Sequence, residues 1–270
     1  MRNSAILKTA PSAPPPADFE AVRDIGGIQV AVTSAEEATR VLSSRLDGGI
    51  FTRVAFLNAH CVNLAYDRPD YRAALADFMI LPDGIGIDLA SQLLYGTGFP
   101  ENLNGTDFLP HFLSTAERPL RVALIGAAPG IAQRAAIGFA MATPRHSFLP
   151  IAHGYFSSGA ETLDVMERLR QAKADVVLVA LGVPRQELFV SRHITGEEAT
   201  LVFAVGALLD FMAGEVPRAP KSVRNVRLEW MYRLLVEPRR LWKRYLLGNP
   251  RFMLRVLRDW GLRGLRRLGA

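Results

Sequence analysis

The chain has 270 residues, 49% of them hydrophobic, with a single cysteine and a formal net charge of +6. That is enough for one large α/β domain or a domain with an appendage, and it excludes global disorder, a disulfide framework and a cysteine-based zinc site. The charge is uneven: residues 221–270 hold 14 Lys/Arg against three acids, a local +11 that leaves −5 for the first 220 residues. Such a concentration points to a local anionic partner.

In chain order, "SAILKTAPSAPPPAD" has too short an apolar run for a signal peptide and is expected to be a disordered Pro-rich tail over residues 1–18. "DIGGIQVAV" then predicts a strand or hairpin, and "SAEEATRVLSSRL" a helix capped by Ser34. "RVAFLNAH" predicts a strand ending in polar residues, "PDYRAALADF" a helix, and "FMILPDGIGID" a strand that exits into a Pro/Gly frame around Asp83. Three further stretches, beginning "RVALIGAAPG", "ADVVLVALGVPRQE" and "TLVFAVGALLD", each read as apolar strand, glycine turn and helix. Continuous apolar strands alternating with helices imply a mostly parallel sheet buried on both faces over residues 19–220. Ligands of such sheets sit at the carboxyl ends of the strands, where Asp83, Gly126, Gly182 and Gly206 fall.

Beyond Pro220 the rhythm stops. "SVRNVRLEWMYRLLVEPRRLWKRYLL" and "PRFMLRVLRDWGLRGLRRL" read as helices separated by a breaker at Gly248-Asn249-Pro250. Arginines on such helices are either solvated on a pair packed against the core or form an amphipathic surface that lies on acidic membrane. The mixture of Trp, Leu and Arg favours the membrane for residues 221–270. On this reading, truncation near Pro220 leaves a folded core. No stretch reaches the roughly 18 apolar residues of a bilayer-crossing helix.

Several residues can carry chemistry. Asp83 is a carboxylate at a strand exit, either a helix-capping turn acid or a base; Asp88 is the second candidate. Gly126 to Gly130 can form a phosphate loop, since N–H groups at a helix start attract anions. Neither a G-x-G-x-x-G fingerprint nor a Walker A lysine is present. "GVPRQE" places a cation (Arg185), an amide (Gln186) and a carboxylate (Glu187) after Gly182, a set suited to a sugar nucleotide or, more plainly, to a helix start. Asn58, His60 and Asn63, and Asn102, Asn104 and Asp107, form amide-rich stretches that suit polyhydroxylated ligands or ordinary turns. No metal site, no cofactor and no nucleic-acid motif is expected: the histidines are scattered and no Asp-x-Asp triplet occurs.

The blocks "NAHCVNLAYDRPDYRAALADFMILPDGIGID", "NGTDF", "LGVPRQE", "VGALLDFMAGEVPRAP" and "LEWMYRLLVEPRRLWKRY" occur in this order. Together they resemble the WecG/TagA/CpsF group, glycosyltransferase family 26, from about Ile25 to Pro250. The resemblance implies a compact Rossmann-like sheet of the GT-E type with flanking helices and a helical basic appendage that docks on membrane. It implies an inverting, metal-independent transferase moving a hexose from a UDP-sugar to a polyprenyl-diphosphate-linked saccharide. The setting would be the cytoplasmic face of the inner membrane, peripherally bound, in exopolysaccharide or cell-surface glycan synthesis. Homo-oligomerisation is left open.

Carried over by motif, Asp83 is the base. Gln186 matches the family's donor glutamine, and the expected donor set is Asn58, Asn104, Asp107, Gly126, Gly182, Gln186, Glu187 and Asp210. Arg233 and Arg240, with Lys243 or Arg244 nearby, match appendage arginines of the family, and Arg218, Arg233, Arg240 and Arg244 are expected to meet diphosphate. Many members have an arginine three residues before the glycine of the G-x-D block, where this chain has Asn102. The "NLNGTD" form leans toward glucose, with N-acetylmannosamine second. The alternative is a non-catalytic nucleotide-binding or lipid-docking scaffold.

Overall fold

The structure is a computed structural model that describes residues 18–156, 158–220 and 229–268, with side chains described as far as residue 263. The readings of residues 1–17 as a Pro-rich tail and of residues 221–228 as helix lie outside these residues.

A hairpin, β1 (Val22–Asp24) and β2 (Gln29–Ala31), precedes helix α1 (Ala35–Asp47). Ser34 caps α1 as expected, accepting from the Glu37 amide. The main sheet has six strands: β3 (Thr52–Leu57), β4 (Phe78–Pro82), β5 (Arg121–Gly126), β6 (Ser147–Ala152), β7 (Val176–Ala180) and β8 (Leu201–Ala204). Their order is β4-β3-β8-β7-β5-β6, and every pairing is parallel.

Burial explains why the central strands read as unbroken apolar runs. In β5, Ala123 and Ile125 enter one core while Val122 and Leu124 enter the other; in β7, Val177 and Val179 oppose Val176 and Leu178. A side-chain period of two with both faces covered demands apolar residues at every position. The first face is covered by α2 (Ala59–Asp67), α3 (Pro69–Leu75), α4 (Ile85–Tyr95), α7 (Gly159–Ala172) and α8 (Arg185–His193). The second is covered by α1, α5 (Gly105–Thr115), α6 (Ile131–Ala142) and α9 (Leu208–Met212).

Two of these helices, α2 and α5, correspond to stretches that read as amide-rich turns. The asparagines responsible are N-caps. Asn58 accepts from the Cys61 amide, and Asn104 from the Thr106 and Asp107 amides, so the same residues that disguise a helix start it.

The C-terminal part comprises α10 (Glu229–Val236), α11 (Pro238–Trp242), a π-helical turn (Lys243–Leu247) and α12 (Gly248–Leu268). The expected break at Gly248-Asn249-Pro250 does not occur. Gly248 is αR, with its amide on the Lys243 carbonyl, so the π turn feeds directly into α12. Pro250 lies three residues past the π turn, where the wider winding accommodates a residue that lacks an N–H. The chain bends instead at Glu237-Pro238.

Helix α12 packs onto α2 and α4. Phe252 and Val256 are buried within the first-face core. Gly86 lies beneath this contact, where a Cβ would be in ordinary van der Waals contact, 3.7 Å from the Phe252 ring and 3.4 Å from Ala59. Burying two such side chains contributes about 1.5–3 kcal/mol each, outweighing the exposed ion pairs of Arg251 and Arg255 with Asp67. The opposite side of the C-terminal elements leaves Leu235, Trp242, Leu246, Leu247, Leu254 and Trp260 exposed.

An apolar cavity of about 540 Å³ lies between the hairpin and β4, lined in part by Phe19, Ile28, Arg72 and Phe78. It lies toward the amino end of β4, away from the strand exits. Among the described residues, no helix is long and apolar enough to cross a membrane.

Candidate active site

Strands β4, β3 and β8 are neighbours, so the residues that follow them converge at one edge of the sheet. Asp83 follows β4. Its amide donates to the Leu57 carbonyl at 2.9 Å, continuing the ladder one residue past the strand. Gly84 then takes φ +89, a conformation that favours glycine, and turns the chain into α4. The turn is held from outside by the segment before α5. The Asn102 Oδ1 accepts from the Gly84 amide at 2.6 Å, and the Leu103 amide donates to the Pro82 carbonyl at 2.8 Å. Asn102, the position that departs from the usual arginine, is thus spent on the Asp83 turn.

Asp83 as a residue is half-buried, and its carboxylate accepts from Asn58 Nδ2 at 3.1 Å. Burial raises its carboxyl above the usual carboxylate range. The Asn58 hydrogen bond and then Arg244 and Arg233 pull it back down, and Asp107 pushes it up again. Asp88 is differently placed. Its carboxylate accepts from the Phe99 amide at 2.8 Å and from Gln92, so it fastens the chain after α4.

The C-terminal elements bring cations to this edge. Arg244, from the π turn, lies close enough to His60 to help lower its pKa to about 4, after burial as the larger cause. His60 is therefore neutral at pH 7. Arg233 and Arg218 both lie over the Phe211 ring, at 5.3 and 5.8 Å from its centroid. Arg218 also pairs with Asp107 at 2.8 Å. The Nε atoms of Arg218 and Arg233 are buried without a hydrogen-bond partner among the described residues. Arg240 pairs with Glu237 at 2.8 Å and acts on Asp210, whose carboxyl burial pushes up.

The structure thus gathers Asn58, Asp107, Arg233 and Arg244 near Asp83, with Arg218 on Asp107 and with Asp210 and Arg240 close by. Phe211, which orders two of the arginines, carries no polar signal in the sequence and was not among the expected residues.

Other expected contacts sit differently. Asn104 uses its whole side chain on the α5 cap and on Asp107. Gln186 and Glu187 are sunk to 3% and 2% exposure and bond to each other at 2.9 Å. Gln186 Oε1 accepts from the Gly206 amide at 3.0 Å, and burial raises Glu187 to about 7. Neither side chain lies open to a ligand.

Farther along the edge, Gly126 takes φ +130, and a Cβ there would meet the Ala180 carbonyl at 2.4 Å. Only glycine fits between β5 and β7 at that point. The Ala127 carbonyl accepts from the Gly154 amide at 2.7 Å, and Arg185 donates to the Gly154 carbonyl at 3.1 Å. The turns after β5, β6 and β7 are thereby joined, with the uncapped α6 N-terminus beside them. Among the described residues, no three His, Cys, Asp or Glu side chains gather as a metal-binding group.

Residues 23–266 match the sequence profile of the Glycosyl transferase WecG/TagA/CpsF family. The chain is 33% identical over 199 residues to the N-acetylglucosaminyldiphosphoundecaprenol N-acetyl-beta-D-mannosaminyltransferase of Bacillus spizizenii, covering 72% of this chain and 74% of that one. It is 31% identical over 196 residues to the enzyme of the same name from Bacillus subtilis, covering 72% and 73%. For that of Staphylococcus aureus the figures are 31% over 180 residues, covering 66% and 68%. The chain belongs to the WecG/TagA/CpsF family of glycosyltransferases.

Proposed function

We propose that this protein is an inverting hexosyltransferase that moves a sugar from a UDP-sugar to a polyprenyl-diphosphate-linked saccharide. The observation that carries the reading is the meeting of one desolvated carboxylate, Asp83, with Arg233 and Arg244 at the strand exits. In direct displacement the acceptor hydroxyl attacks the anomeric carbon while a base takes its proton. A carboxylate raised by burial is a stronger base near neutrality than a solvated one. Asn58 and the Asn102-braced turn fix its direction.

As the sugar–phosphate bond breaks, negative charge grows on the departing diphosphate. Arg233, Arg244 and Arg218 are the cations available to stabilise it or the acceptor's own diphosphate, and two of them hold an unsatisfied Nε–H. With these groups in place, the reaction needs no metal ion. The joined turns at Gly126, Gly154 and Gly182, together with the α6 N-terminus, suit the nucleotide part of the donor.

The names of the relatives support N-acetylmannosamine as the sugar and a polyprenyl-diphosphate-linked N-acetylglucosamine as the acceptor; glucose is the second choice. Exposed Trp and Leu side chains beside exposed cations on the C-terminal elements suit an anionic membrane surface. These features support a peripheral position on the cytoplasmic leaflet, with residues 221–270 as the docking appendage.

The test is a panel of UDP-sugars offered with a short-chain lipid-diphosphate N-acetylglucosamine acceptor. Transfer from UDP-N-acetylmannosamine with a β-linked product is expected. Failure of every UDP-sugar, with normal folding, rejects the reading in favour of a binding scaffold.

A further inference from the structure

We propose that Glu187 is a positioning residue which, through the Gln186 amide, fixes the backbone turn at Gly206 and so shapes the donor side of the site. The inference rests on the reading of this edge as a UDP-sugar site, and it deepens that reading.

Glu187 is the third residue of α8, counting Arg185 as the first, and is 2% exposed. A buried carboxylate is costly unless paired, and an apolar side chain in its place would be cheaper. Here only Oε1 has a partner, the Gln186 Nε2 at 2.9 Å, while Oε2 has none among the described residues. The titratable groups that face it are the Cys61 thiol of α2 and the Tyr71 phenol of α3. Both are pushed up by burial and stay neutral at physiological pH. No cation is among the causes acting on Glu187, and Arg244 is the cation that acts on both neighbours.

The connection runs onward from Gln186. Its Oε1 accepts from the Gly206 amide at 3.0 Å, two residues after β8, where φ is +57. A glutamine amide has a donating end and an accepting end, and it can present either. The carboxylate of Glu187 only accepts, so it draws the NH2 end toward itself and leaves the oxygen for Gly206. Without that constraint, Gln186 is free to turn its NH2 toward the Gly206 N–H, donor against donor, and the turn loses its anchor. Glu187 therefore decides which way Gln186 faces. Burial raises its pKa to about 7, so the strength of this constraint changes across neutral pH.

Val205-Gly206 is the sole Val-Gly pair in the chain. Full-length protein labelled with 13C′-valine and 15N-glycine therefore gives one correlated amide signal, that of Gly206. In the wild type this signal should titrate with a midpoint near 7. It should stay fixed between about pH 5.5 and 8.5 in Glu187→Gln, which still accepts from Gln186. In Glu187→Leu it should be displaced at every pH, with UDP bound about tenfold more weakly by calorimetry, while Glu187→Gln stays within about twofold of wild type. A Gly206 signal indifferent to Glu187→Leu overturns the proposal. A displaced signal with unchanged UDP affinity overturns its link to the donor. If the wild type binds no UDP, the reading of the site has failed, and the Gly206 signal alone decides whether Glu187 positions the turn. Should Glu187→Leu not fold, the pH response of wild type against Glu187→Gln decides it.

Discussion

Asn58 holds Asp83 with one end of its side chain and starts a helix with the other. Its Nδ2 donates to Asp83 Oδ2 at 3.1 Å, and its Oδ1 accepts from the Cys61 amide at 3.2 Å. Because the α2 N-terminus fixes the amide, the carboxylate is aimed by a helix cap and not by a flexible neighbour. Asn58→Ala should cost about 1 kcal/mol of stability from the lost cap. It should also move the acid limb of the pH–rate profile upward, because a hydrogen bond that favours the ionised carboxylate is gone. Chemical denaturation and a kcat–pH profile measure the two effects separately; an unmoved acid limb would contradict the role of Asn58 in tuning Asp83.

Asp83→Asn should lower turnover by roughly 10²-fold or more while UDP still binds. Its effect on stability should run the other way. A carboxyl whose folded pKa is raised gives up stability as pH rises through that value, so the neutral amide should raise Tm at pH 8 and raise it less at acid pH. Turnover near that of wild type at saturating donor would falsify the assignment.

Arg233→Ala and Arg244→Ala should each depress transfer and push Asp83 further up, shifting the acid limb to higher pH. Neither should greatly change sedimentation with anionic liposomes. Arg239 and Arg258, which are exposed, should behave in the opposite way when replaced. Arg263 does not belong with them, since it pairs with Asp24 and lies over Tyr95 at 4.9 Å. If Arg233→Ala and Arg239→Ala match in both assays, the C-terminal arginines are an electrostatic anchor and nothing more.

Phe252→Ala should destabilise the protein by about 3–5 kcal/mol, the usual cost of emptying a buried phenylalanine site. The cavity would open beside Gly86, three residues from Asp83, so activity should fall as well. For the same reason, a chain ending at Pro220 should expose the α2 and α4 surfaces that α12 covers, and it should aggregate or melt without a sharp transition. A monodisperse, cooperatively melting truncation would show that the core does not need α12.

Transfer should persist in excess EDTA, because the cations gathered near Asp83 are arginines. Loss of activity restored by Mg²⁺ or Mn²⁺ would show that a metal takes part.

The sequence alone determined the α/β class, because central parallel strands buried on both faces must be largely apolar: β7 and β8 are so at every position, and β3 and β5 are so once past Arg53 and Arg121. It also marked the edge that carries the candidate site, since Asp83, Gly126, Gly182 and Gly206 each follow an apolar run and the exits of parallel strands share one side. The helices α2 and α5 were hidden because Asn58 and Asn104 look alike as turn formers and as caps; only the conformation of the residues that follow separates the two.

Tertiary structure decided the rest. That β3 and β8 adjoin, bringing Asn58 and Gly206 to neighbouring exits, is set by a strand order that crosses most of the sheet, and no local pattern encodes it. Whether Gln186 and Glu187 face a ligand or the interior depended on α2 and α3 packing over α8, which buries both. The basic C-terminal segment advertised its charge in sequence, yet only packing divided its arginines. Phe252 and Val256 pin α12 to the core, and this pinning brings Arg233 and Arg244 back over Asp83 while Arg239 and Arg258 stay in solvent.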